Sequence, residues 1–324
     1  MARQRAARLL WPALVLIATL LVLRHSSEDF LHYADGRFLG SLVDVFNRGA
    51  RVMLLALGMT LVIATGGVDL SVGAVMAIAG AVAAALIKHH QAPLPLVLLA
   101  ALASGALCGL CNGLLVARLD IQPIIATLVL MVAGRGVAQL ITDGQILTFT
   151  NRPFEYLGTG YLLAVPFPVI LVLMMLAASA ALVDLSAVRL CIESVGNNPT
   201  ASRCAGVPVA RVKLLVYVLS GLCAALAGMV ETADIRGADA NNAGLYLELD
   251  AILAVVIGGT ALSGGRFSLV GALIVQALTT TILTSAHISV NATRVVKALV
   301  VVVVCLLQSD VFRAKVGKLL RGGR

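Results

Sequence analysis

The sequence predicts an all-α, polytopic membrane helix bundle, and three observations predict it. Of 324 residues, 60% are hydrophobic and only 12% are charged, where a soluble domain carries roughly 25% charged residues. The apolar residues run in long segments rich in Leu, Val, Ala, Ile and Gly. Short polar joints separate them, which means helices, because barrel strands are short and alternate. No stretch has the composition of a soluble domain. Residues 1–324 are therefore read as one transmembrane domain of about ten helices, with both termini in the cytosol.

In chain order the apolar segments are 9–23, 50–65, 68–87, 94–117, 121–142, 163–183, 212–232, 250–261, 267–286 and 294–308. The first follows MARQRAAR and resembles a signal peptide. Arg24-His25-Ser26-Ser27-Glu28 offers no small-residue cleavage site, so an uncleaved span is expected. Several segments are shorter than the ~20 residues that cross a bilayer upright. Segment 250–261 reaches only about 18 Å at 1.5 Å per residue. Short or broken segments of this kind line internal surfaces in transporters. An eight-span arrangement, with 50–87 or 250–286 partly re-entrant, is the alternative.

Segments 60–86 and 251–283 share a layout, VIATGGVDLSVGAVMAIAG beside VVIGGTALSGGRFSLVGAL. Each runs apolar, then Gly-Gly, then a polar turn, then small apolar residues. An ancient duplication and one local device used twice both account for it. Gly105, Gly109 and Gly113 lie four apart on one helix face, as do Gly73, Ala77 and Ala81, and Ala224 and Gly228. Small residues at that spacing let membrane helices approach closely.

The formal net charge is +8, and its distribution says more than its sum. With the N-terminus inside, the cytosolic side receives Arg3, Arg5, Arg8, Arg118, Arg189, Arg203, Arg211, Lys213, Arg266 and the basic tail. The outer loops hold most of the acids, among them Asp143, Glu155, Asp234, Asp239 and Glu248; Lys88, Arg294 and Lys297 run against the trend. Such asymmetry is the positive-inside pattern. No basic patch is interleaved with aromatics, so lipid is the expected surroundings and nucleic acid is not an expected partner.

The least apolar interior stretch is Asp184 to Lys213, DLSAVRLCIESVGNNPTASRCAGVPVARVK. Between the turn signals Gly196-Asn197-Asn198-Pro199 and Gly206-Val207-Pro208 lies room for a helix of about seven residues. Asn198 suits its cap, Pro199 its first turn, and Gly206 its end. A short capped helix held out of the membrane between apolar spans is read as a lever on which another subunit pushes.

Few residues suggest chemistry. Arg135 lies well inside a span, where a charge costs ~2.5–3.5 kcal/mol and faces protein or water. Structural pairing and a role along the solute path are both open to it, and Glu231 matches it in depth. Asp69, in Gly66-Gly67-Val68-Asp69-Leu70-Ser71, suits the N-cap of the next helix or a contact with proton or solute; Asp250, the first residue of its span, divides the same way. Residues 234–250 read either as a solvated loop or as a gate or docking surface for an external protein. Leu262-Ser263-Gly264-Gly265-Arg266 looks like the signature of ATP-binding cassette (ABC) ATPases. No G-x-x-x-x-G-K-[ST] loop accompanies it, so the glycines are read as a tight turn between spans. The five histidines form no ligand cluster. Cys108 and Cys111 are read as small buried packing residues. No metal, bound cofactor or catalytic group is expected.

Four stretches then carry a resemblance over residues 44–308: LALGMTLVIATGGVDLSVGAVMAIAG, ATLVLMVAGRGVAQLITDGQ, a G-x-N-x-x-A-x-x-x-[AS]-G pattern, and ADIRGADANNAGLYLELDAILAVVIGG. The chain resembles the permease subunits of bacterial ABC sugar importers, in the branch of ribose, arabinose and, most similar, galactofuranose systems. The resemblance implies an inner-membrane permease that passes a monosaccharide inward. It implies three partners: a cytosolic ATP-binding subunit, a periplasmic sugar-binding protein, and a second permease, identical or paralogous. It makes residues 198–205 a coupling helix for the ATPase, with Gly196, Asn198, Ala201, Ala205 and Gly206 as the pattern residues. Asp69, Ser71, Arg135, Glu231 and Asp250 are the candidates for solute path or gate. Two departures from the family pattern are Arg189, where glycine is common, and Ser202, where alanine is. The rival reading is a secondary sugar transporter driven by an ion gradient through Asp69 or Glu231.

Overall fold

The computed structural model describes residues 29–34 and 36–285, with a few isolated positions between 16 and 24. The expected segments 9–23 and 294–308 lie outside or almost wholly outside the described residues. Contacts gather Met1–Thr281 into one compact unit and Ile282–Arg324 into a second; the first is described below.

Six helices are long and apolar enough to cross a membrane among the described residues. They are α1 (Ser41–Ala64), α2 (Val72–His90), α3 (Leu94–Ala117), α4 (Pro123–Ile141), α6 (Phe167–Asp184) and α9 (Val209–Asp234). Shorter helices are α5 (Arg152–Thr159), α7 (Val188–Asn197), α8 (Pro199–Cys204), α10 (Leu247–Ile257) and α11 (Leu269–Ser285). Three two-stranded antiparallel pieces join β1 (His32–Ala34) to β2 (Arg37–Leu39), β3 (Leu147–Thr148) to β6 (Gly237–Ala238), and β4 (Tyr161–Leu162) to β5 (Val165–Pro166).

The long helices divide into an inner and an outer set. In α1, α2 and α9, 78%, 72% and 61% of the apolar window is buried; in α3, α4 and α6 it is 22%. The outer set exposes Leu99, Leu107, Val129, Val132, Leu140 and Met174, an apolar surface that suits lipid or a neighbouring subunit and not water.

Small residues set the inner distances, as their spacing predicts. On α3 a side chain at Gly105 would strike the Gly221 carbonyl of α9, and one at Gly109 would strike that of Tyr217. Gly228 of α9 meets the Met76 carbonyl of α2 in the same way. Without a hydrophobic force between helices in lipid, such backbone approach supplies the packing energy.

Helix α1 starts nine residues before the expected segment 50–65, at Ser41. Asp44, Asn47 and Arg48 hide its first turns from a hydropathy reading. Arg51 is accommodated farther in because Glu231 and Asp234 both lie 3.9 Å from its Nη1. Segment 250–261 proves to be an 11-residue helix, Leu247–Ile257, about 16 Å long and too short to cross. The preceding residues descend as non-helical chain: Ala240 and Ala243 pack with Ala77, Ile78, Ala81 and Ala138, and Gly244 lies against Gly73. The stretch is thus part turns and part helix, packed against α2 and α4.

The two similar segments share a local geometry, as either reading of their origin expects. Gly66, φ +78, lies two residues past the end of α1, and Gly259, φ +97, two past that of α10. Each left-handed glycine lets the chain turn out of the helix without a Cβ clash. Each break leads to a serine, Ser71 or Ser268, at the start of the next helix.

Candidate functional site

The stretch 184–213 holds two helices where the sequence suggests one. Asn198 caps the second: its Oδ1 accepts from Ala201 N–H at 2.9 Å. Pro199 occupies the first turn, the helix ends at Cys204, and Gly206 takes φ +83. Five of the six residues of α8 are exposed; Ser202 alone is buried, at 5%. Ser202 therefore faces the permease body and lies off the outward face formed by Pro199, Thr200, Ala201 and Arg203.

Arg189, the other departure, lies on α7. It pairs with Asp184 and, at 3.2 Å, with Glu193, and its guanidinium sits 5.0 Å over the Phe267 ring. It thereby clamps α7 to the end of α6 and to the turn before α11. Arg203 Nη2 stands 3.8 Å from Asp120 in the α3–α4 turn, so both turns share one side of the protein. Gly196 belongs to the inner side: a side chain there would collide with the Ala64 carbonyl and Gly265 nitrogen. Of the pattern residues, only Asn198, Ala201, Ala205 and Gly206 are exposed.

The break after α1 carries a buried polar cluster. Asp69 Oδ1 accepts from Ser71 N–H at 3.1 Å and Ser71 Oγ at 2.6 Å, and Oδ2 accepts from Ser220 Oγ of α9 at 2.8 Å. Asn112 Nδ2 of α3 donates to Ser71 Oγ at 2.8 Å. Ser71, not Asp69, is the N-cap residue of α2. Asp69 bonds the backbone two residues ahead, so it holds the turn and ties it to α9. Asp69 is 2% exposed and Ser71 fully buried.

A second set of charges lies toward the other end. Arg135 Nη1 donates to the carbonyls of Ala240, at 3.0 Å, and Ala243, at 2.6 Å. Its hydrogen-bond partners are thus backbone groups of the descending loop; the charge 3.9 Å from Glu231 belongs to Arg51. Glu231 Oε2 is buried without a hydrogen-bond partner. Gln139 Nε2 donates to Asn241 Oδ1 at 2.7 Å, a second tie between α4 and the loop. Burial alone would raise the Asp239 carboxyl. The Asn242 side chain and the Asn242 and Asn241 backbone N–H groups instead hold it below the ordinary carboxylate value, with the charge of Arg135. Residues 234–250 are thus no plain solvated loop. Asp250 sits in the first turn of α10, three residues beyond its first residue, Leu247.

Sequence reasoning did not find Arg51 or Asn112, because a lone Arg or Asn near a span carries no local signal. The cysteine reading holds in part: Cys108 is half-buried but Cys111 is exposed. No group of three metal-ligating side chains occurs among the described residues.

A family model described as branched-chain amino acid transport system, permease component, matches residues 41–305. Over 270 residues the chain is 57% identical to the galactofuranose transporter permease protein YtfT of Escherichia coli K12, covering 81% of this chain and 79% of that protein. It is 39% identical over 274 residues to the fructose import permease FruF of Bifidobacterium longum, covering 82% and 77%. It is 40% identical over 237 residues to the ribose import permease RbsC of E. coli K12, covering 72% and 73%. No solved structure matches.

Proposed function

Because the chain belongs to the transport-system permease-component family, as the membrane subunit of an ABC sugar importer, we propose galactofuranose, or a closely similar pentose or hexose, as its cargo. The observation that carries this reading is the 57% identity to a galactofuranose permease over 81% of the chain. The protein is a multi-pass inner-membrane subunit and is itself non-catalytic. Family membership replaces the ion-coupled reading.

A cytosolic ATPase subunit docks on α8, which its outward face and its Asn198 cap support. In this reading the α3–α4 turn, α7 and α8 face the cytosol together with both termini, about ten spans cross the membrane, and two permease copies or paralogues enclose the path. A periplasmic sugar-binding protein delivers cargo to the opposite face. Among the path candidates, Arg135 and Glu231 serve the solute route: Glu231 has a buried oxygen that accepts no hydrogen bond, and Arg135 positions the loop beside it. Asp69 and Ser71 hold the break below them, and Asp250 lies in the first turn of α10. Closure of the ATPase dimer moves α8 and switches the path from outward- to inward-facing.

Reconstitution with the ATPase and binding proteins in liposomes tests this. Galactofuranose uptake should require ATP and exceed ribose and fructose uptake. Deleting residues 198–205 should abolish sugar-stimulated hydrolysis. Uptake without ATP, or stimulation that survives the deletion, would overturn the mechanism.

A further inference from the structure

The two glycine breaks, about 200 residues apart in sequence, meet beneath the last turn of α7, just before α8. Gly265 N–H, in the second, donates to the Ala64 carbonyl at the end of α1, at 2.8 Å. Gly196 lies over this bond and touches both of its atoms' residues. A Cβ on Gly264 would lie 2.7 Å from the Gly196 carbonyl oxygen and 2.9 Å from Gly66 N. The Asn197 side chain fills the space beside Gly265, and Arg189 stacks on Phe267 just beyond.

We propose that Gly196 is a positioning residue for transport, the pivot through which displacement of α8 reaches both breaks at once. Three facts lead there. The contact is backbone on backbone, so no side chain can yield and absorb the motion. Both breaks are closed by turn hydrogen bonds, such as Gly66 N–H to the Ile63 carbonyl and Gly264 N–H to that of Ala261, and are the element ends where a chain takes up large φ/ψ changes. Each break continues inward: the first is tied to α9 through Asp69 and Ser220, and the second opens α11 through Ser268. Pushing one loop therefore moves two half-spans together, which a contact with either break alone would not do. The proposal rests on α8 being the ATPase dock.

The test is the coupling ratio, sugar imported per ATP hydrolysed, in the full complex in liposomes. For Gly196→Ala we expect the ATPase still to co-purify while the ratio falls about tenfold. A merely structural defect would lower transport and hydrolysis together and leave the ratio alone. Should Gly196→Ala not assemble, Asn197→Ala serves, because it removes the side chain beside Gly265 and introduces no new clash. That variant should assemble and lower the ratio. An assembled Gly196→Ala or Asn197→Ala complex with an unchanged ratio overturns the pivot and leaves the dock standing. Failure of the unaltered permease to bind its ATPase overturns both.

Discussion

Arg135 on α4 holds the carbonyl oxygen of Ala243 at 2.6 Å, across 108 residues of chain. The same Nη1 holds Ala240, so one cation ties α4 to two points of the non-helical stretch before α10. These bonds add to the turn hydrogen bonds within the stretch, such as Ala243 N–H to the Asp239 carbonyl.

Arg135→Ala should therefore orphan two carbonyls. Hydrogen bonds to charged groups are worth about 1.5–3 kcal/mol, and a loss of that order is expected in thermal melting of the detergent-solubilised permease. Arg135→Lys keeps the charge but not the planar fork, and should recover only part of it. A melting point equal to that of the unaltered protein would show that the loop is held by Gln139 and packing instead.

Asp69 accepts three hydrogen bonds and Ser220 supplies one of them. Asp69→Ala should cost more than Ser220→Ala, which removes a single donor worth roughly 0.5–1.5 kcal/mol, up to about twice that to an ionised acceptor. Equal losses in melting would mean that the bonds within the break contribute nothing beyond the tie to α9.

Glycines in the inner set should be intolerant and one in the outer set tolerant. Gly221→Ala drives a methyl into the Gly105 backbone and should prevent accumulation of folded protein. Gly136 of α4 has nothing within 4 Å of a built Cβ, so Gly136→Ala should be neutral or stabilise by up to about 1 kcal/mol through helix propensity. Expression and melting of the pair distinguish close approach from a general preference for glycine.

The cap of α8 predicts graded docking. Asn198→Ala removes the bond to Ala201 N–H and should weaken ATPase binding by roughly fivefold, from a cap worth ~1 kcal/mol. Asn198→Ser can cap and should bind nearly as the unaltered protein does. Pull-down titration with the ATPase subunit measures both.

Asp239 gives a pH expectation. Its carboxyl lies below the ordinary value when folded, so its stabilising effect is present above the unfolded value and lost as pH falls through the folded one. Protease cleavage of the 236–246 loop should be constant from about pH 8 to pH 5 and rise only in stronger acid. A rise near neutrality would point to another group.

Hydropathy alone made this a helical membrane protein, because lipid leaves no other way to satisfy long apolar backbone. The glycine spacings marked the close faces of α3 and α9, and Asn198, Pro199 and Gly206 marked α8, since capping depends on adjacent residues. Tertiary structure decided what depends on distant partners. It moved the start of α1 back to Ser41, and it showed Arg51 compensated by Glu231, 180 residues away. It put Ser71 at the cap where Asp69 was expected, and it turned Gly196 inward. Above all it brought the two glycine breaks together at one loop. Local sequence shows that a chain can bend at Gly66 and Gly264, but which backbone lies against the bend depends on how whole helices pack.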